Sequence, residues 1–556
     1  MNKATWRRGI VLLSALLLLG LMVSSLYADQ EDPPARVGRL SLAEGKVSFQ
    51  PSGETEWSET SINRPVTAGD RLYVDHGARA ELEIGPFAIH MSQNTDITLA
   101  NLNDQLVQLG VGQGTLRVTI YEMPEKNSVE IDTPNGALLL QAAGSYRVDT
   151  APDGNSTQVT VNVGSLQITA GDLSKTLQSG QAVTLTGAGP VTAAEASVPP
   201  PDDFDKWCGG RDKRVEVSVS VQKVGPAVPG GEDLDTYGHW DERPPYGAVW
   251  VPADVPPDWV PYRHGHWLFI EPWGWTWVEE EPWGYAPFHY GRWVHLGPVW
   301  GWVPGPVVLR PVYAPALVAF VGGPGFAVGI GVGVQAWFPL GPREPFIPWY
   351  HHGPGYLHAF NGSAETNFAA FHYSNRESGF TAVSGEAFRG GQPVERGLVR
   401  LPHEQLAHAE VIPHPEVGPT SRAVFGARTV AAPPVHTARF GASSPGSHGA
   451  TFSPRTPPPA SREAVRSGPP ATPFPHMYTR TAPAPNNAPF AARQDAYSSH
   501  PGRPLEPQQM TNLRAGKPAG PMHDRENPPH PPAQHTESKP SSSSSHSSHG
   551  GDSKHH

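Results

Sequence analysis

The chain has 556 residues, of which 38% are hydrophobic, and it carries a formal net charge of −11 at pH 7. Its 59 glycines and 63 prolines, with this low hydrophobic content, predict that part of the chain lacks a packed core, although the length allows several domains. The negative charge and the absence of any Lys/Arg run argue against a general affinity for nucleic acid.

The N-terminus has the pattern of an export signal. Basic residues precede the uncharged apolar segment 10–23, and Ala28 places a small residue at a plausible cleavage point. We therefore predict a signal peptide over residues 1–28 and a location in the periplasm or cell envelope. The alternative is an uncleaved anchor, because the apolar segment could just span a bilayer, and we expect membrane contact only through this segment.

Residues 36–191 have the pattern of short β-strands. Polar and apolar residues alternate over Arg79–Ile84, Thr115–Ile120 and Gln158–Val163, as in half-buried strands. Turn signals such as the segment Thr133–Gly136 recur between the strands. This spacing predicts an all-β sandwich or rolled sheet.

The same segment resembles the extracytoplasmic domain of the FecR family of regulators. The matching stretches are Ala68–Leu72, His76–Leu82, Asn94–Ile97, Val129–Pro134 and Leu177–Gln181. The resemblance implies a β-domain that relays the state of an outer-membrane receptor. In family members that regulate transcription, a cytoplasmic segment precedes a membrane helix, whereas only a few residues precede the apolar segment here. We therefore do not expect a direct anti-sigma role.

Residues 197–231 form a connector rich in Pro and Gly. The segment Asp202–Trp207 is predicted to begin a short helix with an acidic first turn. Cys208 is the single cysteine of the chain, which excludes a fold held together by intramolecular disulfides. We interpret it as a small packed residue and not as a nucleophile, with an intermolecular disulfide as the alternative.

An internal repeat fills residues 234–350. Three columns recur in one order, and they comprise Trp240, Trp267 and Trp293, then Trp250, Trp277 and Trp302, then Trp259, Tyr285 and Tyr313. The repeat length suits one β-hairpin per copy. Because a hairpin alone cannot bury its apolar face, we expect the copies to form a small antiparallel sheet or barrel.

The remaining chain divides into three parts. The charge-free run 316–337 is interrupted by glycines, which favours paired strands over a membrane span. Residues 351–416 have a mixed pattern and are expected to pack against the repeat module. Residues 417–556 are rich in Pro, Ser and His and are predicted to form a disordered tail. The predicted fold class is thus mainly β.

The repeat module resembles an uncharacterised family of Trp-, Gly- and Pro-rich proteins from Gram-negative envelopes, in which it often follows a FecR-like domain. The matching stretches are Tyr237–Trp240, Gly274–Trp277, Glu281–Pro287, Tyr290–Trp293 and Trp337–Arg343. The resemblance implies an architecture and a compartment, and it supplies no chemistry.

Tryptophans that recur with the repeat are predicted to be core, because each large ring contributes a large buried area. Trp273 and Trp283 have no Trp counterpart in the other copies, so we expect these rings to be exposed. Trp275 corresponds to Trp300 but to Ala248 in the first copy, and its environment stays open. These three tryptophans form the candidate aromatic ligand face, which could stack on sugars or quaternary ammonium groups.

Catalytic patterns are weak throughout the chain. The segment 279–281 contains three glutamates, but adjacent strand residues point to opposite faces and form no glycosidase pair, so we interpret it as a solvated turn. The sequence has no nucleophile elbow, phosphate loop or dinucleotide fingerprint. His351, His352 and the tail histidines could bind a divalent metal weakly. We predict no enzyme activity, no cofactor and no metal site.

These observations predict an exported, non-enzymatic envelope protein that serves in binding or assembly, with an envelope protein or glycan as partner and no nucleic acid. One alternative is a FecR-like sensor that relays the state of an outer-membrane receptor. Another is a hydrolase acting on cell wall or glycan, in which Glu271 and the glutamates of 279–281 would act. The sequence does not identify the ligand.

Overall fold

The computed structural model describes residues 32–125, 128–308, 310–322, 333–362, 371–402, 409–426, 428–435, 440–442 and 477–522. The predicted signal peptide lies outside the described residues. The described chain is mainly β, as the sequence predicts. Among its helices, none has the length and apolar character needed to cross a membrane.

The first domain is built from strands β1 to β17. Their bounds are β1 (Gly38–Glu44), β2 (Val47–Gln50), β3 (Trp57–Glu59), β4 (Pro65–Val66), β5 (Arg71–Val74), β6 (Arg79–Ile84), β7 (Phe87–Met91), β8 (Thr95–Leu102), β9 (Leu106–Ile120), β10 (Ser128–Thr133), β11 (Gly136–Leu140), β12 (Gly144–Thr150), β13 (Ser156–Val163), β14 (Ser165–Ala170), β15 (Leu173–Gln178), β16 (Gln181–Thr186) and β17 (Thr192–Ala196). All pairings are antiparallel except that of β9 with β10.

Strand β9 joins the two layers of this domain. Its first half pairs with β8 and β10, while its second half pairs with β7 and β12. The change of partners occurs at Gly114, where a Cβ would lie 2.5 Å from Thr95 Cα. Apolar side chains from both layers, including Leu72 and Val118, are fully buried between them. The strands therefore form one curled sheet around a core, which confirms the prediction of a rolled or sandwiched sheet.

The connector contains helices α1 (Asp203–Val217) and α2 (Val219–Val224). Asp202 and Asp205 form a capping box at the start of α1, which fits the predicted acidic first turn. The helix is longer than the sequence indicates, because Asp212 near its end accepts hydrogen bonds from Thr119 and Tyr121 of the β-domain. Cys208 is buried, and burial raises the pKa of its thiol, in keeping with a packed residue.

The repeat module contains three hairpins. Its elements are α3 (Leu234–Tyr237), β18 (Gly238–Arg243), β19 (Gly247–Pro252), β20 (Gly265–Ile270), β21 (Gly274–Glu279), α4 (Ala286–His289), β22 (Arg292–Leu296) and β23 (Val299–Val303). The first two aromatic columns face each other across the hairpins, with Trp240 opposite Trp250, Trp267 opposite Trp277 and Trp293 opposite Trp302. One hairpin per copy is therefore confirmed.

The hairpins do not form one sheet. The first and third join through Trp250 and Trp302 into the order β18-β19-β23-β22, whereas the second stands alone. Every residue of β20 and β21 is buried, so the second hairpin is surrounded by side chains and needs no further strand partner. Of the six tryptophans in the first two columns, five are core, as predicted, and Trp240 is half-buried.

A second four-stranded sheet follows. The elements of this region are β24 (Val318–Gly322), β25 (Val334–Pro339), α5 (Pro354–Asn361), β26 (Thr381–Ser384), α6 (Gly385–Arg389), a 3-10 helix (Val394–Gly397) and β27 (Glu410–Ile412). The strands of the sheet lie in the order β26-β25-β24-β27. Both ends of the charge-free run are thus paired strands. The segment 351–416 completes their sheet, so it packs against the repeat module as expected.

The predicted tail contains ordered elements, which corrects the prediction of disorder for its described part. They are α7 (Ser421–Phe425), β28 (Thr429–Val430), β29 (Phe440–Ala442), β30 (Met477–Thr479), α8 (Phe490–Ser499) and α9 (Pro507–Arg514). Strand β28 pairs with β3, and Tyr497 and Met510 join the core of the repeat module. These segments are ordered because they use surfaces of the earlier domains and need no core of their own.

Candidate functional site

The predicted aromatic ligand face is not exposed. Trp273 and Trp283 are 2% exposed and Trp275 is 0% exposed. Trp273 contacts the ring of Tyr313 edge to face, and the Trp275 indole N–H donates to the carbonyl of Val417 at 3.0 Å. The prediction of exposed rings at Trp273 and Trp283 is therefore wrong. Trp275 contacts Phe388 and Val417 of the segments that flank the repeat, whereas Trp283 packs against Trp250 and Trp293 inside the repeat module.

The glutamate segment 279–281 is only partly a solvated turn. Glu280 is exposed, but Glu279 ends β21 with its side chain buried. The Trp277 indole N–H donates to Glu279 Oε2 at 3.0 Å, and burial holds the pKa of Glu279 well above its ordinary value. Glu279 is thus part of the aromatic core.

A cavity of about 710 Å³ lies beside the third hairpin. We call it the Arg292 pocket. Residues of β22 and β23, the loop 304–308, the connector and the end of α5 line it. This volume lies within the usual range for sites that bind small molecules. The third hairpin of the repeat module therefore borders a space large enough for a small-molecule ligand.

The walls of the Arg292 pocket are mostly apolar. Trp302 is fully buried, and its indole N–H donates to the carbonyl of Tyr290 at 2.8 Å. Val308 is 47% exposed and Tyr246 is 37% exposed, so apolar surface at the rim remains open to solvent. Such surface would be buried by a ligand with an apolar body.

Arg292 supplies a cation with unused capacity for hydrogen bonding. Its Nη1 donates to the carbonyl of Gly291 at 2.9 Å and its Nη2 to that of Phe360 at 3.3 Å. Its Nε is buried and has no hydrogen-bond partner among the described residues. Burial lowers the pKa of Arg292 to about 10, so the guanidinium stays charged at neutral pH. Arg343 adds a second, exposed cation at the rim.

Two other titratable groups of the pocket do not add a charge for a ligand, because Glu344 is already hydrogen-bonded and His289 is neutral. Both carboxylate oxygens of Glu344 accept hydrogen bonds, from Gly341 and from Ser374. Burial lowers the pKa of His289 to about 3, and its Nδ1 lies 2.8 Å from the carbonyl oxygen of Ala314. The charged groups that remain available to a ligand are therefore the guanidinium groups of Arg292 and Arg343, which suit an anionic group.

Arg292 is distinguished in the sequence by a difference between the repeat copies. The first two repeat copies have His before the column tryptophan, at His239 and His266, whereas the third has Arg292. His266 is buried and its pKa is lowered to about 4, so it provides no charge at neutral pH. The replacement of His by Arg marks the copy that forms the pocket.

Comparison with known proteins finds similarity in part of the chain. Residues 231–344 match DUF6600, a family of unknown function. No curated protein matches the chain. Two crystal structures of a putative anti-sigma factor from Parabacteroides distasonis ATCC 8503 share 12% identity over 23% of this chain, with TM-scores of 0.21 and 0.20. The match spans 59% of the length of those chains. We draw no functional conclusion from likeness at this level.

Proposed function

We propose that this protein is an exported, non-enzymatic binding protein of the bacterial envelope. Its ligand occupies the Arg292 pocket and combines an apolar body with one anionic group. The observation that supports this most directly is the charged guanidinium of Arg292 in the lining of a mostly apolar cavity. Within the described chain, its Nη1 and Nη2 each donate to one backbone carbonyl, so each keeps a second N–H for a ligand. A carboxylate, sulfonate or phosphate would accept from these groups and offset the burial of the cation.

The pocket also limits which envelope partners fit. Its volume of about 710 Å³ accommodates a small molecule or the end of a larger one. A glycan partner would therefore present an acidic sugar, and a protein partner would present an acidic side chain or a chain end. The apolar walls favour ligands whose anionic group is attached to a ring or hydrocarbon.

Two fluorescent probes test this proposal. 8-Anilino-1-naphthalenesulfonate has the required apolar body and anion, and N-phenyl-1-naphthylamine has nearly the same body without the charge. We expect the native protein to bind the sulfonate probe at least about tenfold more tightly, since a charge-assisted hydrogen bond contributes about 1.5–3 kcal/mol. The Arg292→Gln variant should lose most of this preference, because only the exposed Arg343 remains as a cation at the rim. Equal affinity of the native protein for both probes would contradict the proposal.

A pair of Trp substitutions locates the binding. Val308→Trp fills the rim of the pocket and should weaken binding of both probes. Val163→Trp, at a side chain that is 57% exposed on β13, adds the same ring elsewhere and should leave binding unchanged. If both variants bind like the native protein, the probes bind outside the Arg292 pocket and the proposal fails.

A sensor is the second candidate, and the contact between the domains favours it. Arg39 of the β-domain forms a buried ion pair with Asp233, 2.6 Å away, and the Asn63 amide donates to the backbone of Glu279 and Glu281. A ligand of the repeat module would act on the β-domain through these contacts. N-terminal sequencing of the native protein tests the membrane part of this idea, because a mature chain starting at Asp29 excludes transmembrane signalling by this chain itself.

A further inference from the structure

Three buried carboxylates meet where the connector packs on the β-domain. Glu81 and Glu83 lie two residues apart on β6, so both point to the same face of the sheet. Glu232 approaches them from the segment before α3. One oxygen of each carboxylate lies within 4.8 Å of the others, and the three residues are 3%, 7% and 6% exposed. We call this group the Glu232 cluster.

The cations around the Glu232 cluster do not use all of its oxygens. Arg211 binds both oxygens of Glu81, at 2.8 and 2.6 Å, and His90 Nε2 lies 3.0 Å from one of them. Arg39 and the Gly230 N–H both donate to Glu83 Oε2. Glu83 Oε1 is buried, and no N–H or O–H of the described residues outside the cluster donates to it, while the side chain of Glu83 is 9% exposed. Burial and the neighbouring Glu83 carboxylate, to which Glu232 hydrogen-bonds, hold the pKa of Glu232 well above its ordinary value.

Negative charge is in excess at this place. Within the described chain, Glu232 forms no ion pair with a cationic side chain, whereas its neighbours do. The neighbouring ion pairs are Glu81 with Arg211, Glu83 with Arg39, Asp212 with Arg117, and Asp233 with Arg39 and Arg214. Five carboxylates thus face four arginines and the ring of His90, which lies 3.0 Å from Glu81 and 3.8 Å from Asp212. Glu232 is the carboxylate left without a cationic partner of its own, and burial in that state is costly.

A small cavity lies against the same carboxylates. Its volume is about 20 Å³, and all three glutamates of the cluster line it together with Tyr121 and Arg211. A cavity of this size holds one water or one ion. The buried negative charge beside this cavity can be neutralised in two ways. Two of the carboxyl groups can share a proton, or a cation can occupy the cavity.

We propose that the Glu232 cluster binds one divalent cation, with Ca²⁺ as the best fit. Its donors are carboxylate oxygens, which hard cations prefer. Ca²⁺ accepts irregular sets of carboxylates, whereas Mg²⁺ requires a nearly octahedral arrangement. Because Glu232 precedes the repeat module and Glu81 and Glu83 belong to the β-domain, the ion fastens the two domains together. This site is separate from the Arg292 pocket.

Calorimetry and thermal unfolding of the full chain test this proposal after treatment with EDTA. We expect Ca²⁺ to bind with one ion per chain and to raise the unfolding temperature by several degrees, since binding to the folded state alone stabilises it. Mg²⁺ should act more weakly. No binding of either cation to the native chain would overturn the proposal, whatever any variant shows.

Two variants separate a cation from a shared proton. Glu232→Gln removes one ligand and the excess charge, so it should abolish the response to Ca²⁺. Glu242→Gln, at an exposed position on β18, removes the same charge elsewhere and should respond like the native chain. A response to Ca²⁺ that persists in Glu232→Gln places the ion elsewhere and overturns the proposal. Should Glu232→Gln not fold, Glu83→Gln takes its place with the same expectation.

Discussion

Burial decides the chemistry of single residues in the repeat module. Glu279 and Glu280 are neighbours, yet only Glu279 is enclosed by the aromatic core. Burial holds the pKa of Glu279 well above its ordinary value of 4.5, while the Trp277 N–H opposes this by donating to the carboxylate. The protonated form is therefore favoured in the folded state, and ionisation of Glu279 destabilises the fold.

The Glu279→Gln variant tests this effect of pH. Because the folded-state pKa is raised, the stability that the protonated side chain contributes is complete below pH 4.5 and decreases as the pH rises towards the folded-state pKa. We expect the variant to match the native protein near pH 4 and to be more stable at pH 8 by about 1–3 kcal/mol. Urea unfolding at both pH values measures this.

Glu280→Gln is the control for this prediction. Its side chain is 55% exposed, so the substitution should change the free energy of unfolding little at either pH. A Glu279→Gln variant that is less stable than the native protein at pH 8 would show that ionised Glu279 stabilises the fold.

At the scale of elements, a glycine allows each repeat hairpin to close. Gly238, Gly265 and Gly291 precede the first column tryptophan of each copy by two residues. A Cβ at these positions would lie 2.4 Å from the ring of Trp250, 2.7 Å from that of Trp277 and 2.6 Å from that of Trp302. The repeated glycine therefore makes room for the ring of the second column.

The Gly265→Ala variant should destabilise the protein. Its Cβ would also meet the carbonyl oxygen of Val278 at 2.3 Å, and backbone cannot move aside cheaply. We expect a loss of about 1–3 kcal/mol, the usual cost of overpacking a core, measured by urea unfolding. Gly210→Ala in α1 is the matched control, because its Cβ would meet nothing within 4 Å. The control should be neutral or slightly stabilising, since Ala favours helix over Gly.

At the scale of the whole molecule, residues 477–522 connect the two domains a second time. Arg493 of α8 forms an ion pair with Glu54 of the β-domain at 2.8 Å. The Tyr497 hydroxyl donates to Glu271 of the repeat module at 2.7 Å, and the Leu505 N–H donates to the same carboxylate oxygen. Removal of this segment would leave buried charges on both domains without partners.

Truncation after residue 476 should therefore lower the free energy of unfolding by about 3 kcal/mol or more, the usual cost of breaking a buried ion pair. Truncation after residue 522 is the control, because the sequence predicts residues 523–556 to be disordered. We expect it to unfold like the full chain in urea. Equal stability of the two truncated chains would contradict a structural role for α8 and α9.

Local patterns predicted the hairpins but not their assembly. The Trp columns indicated one hairpin per copy because alternation and turn residues act within a few positions along the chain. The separation of the second hairpin depends on β24, β25 and the α6 region, which cover it and lie up to about 120 residues away. The burial of Trp275 depends on Val417 for the same reason.

The sequence by itself determined the mainly β class, the three hairpins, the core role of the recurring tryptophans and the capped helix of the connector. Tertiary structure alone decided that Trp273, Trp275 and Trp283 are buried, that Arg292 lines a pocket, that Glu81, Glu83 and Glu232 meet, and that residues 477–522 are ordered. The physical reason is the separation along the chain of the residues that interact. Hydrogen-bonded hairpins and caps form between near neighbours, whereas burial and charge depend on segments that meet only after the chain folds.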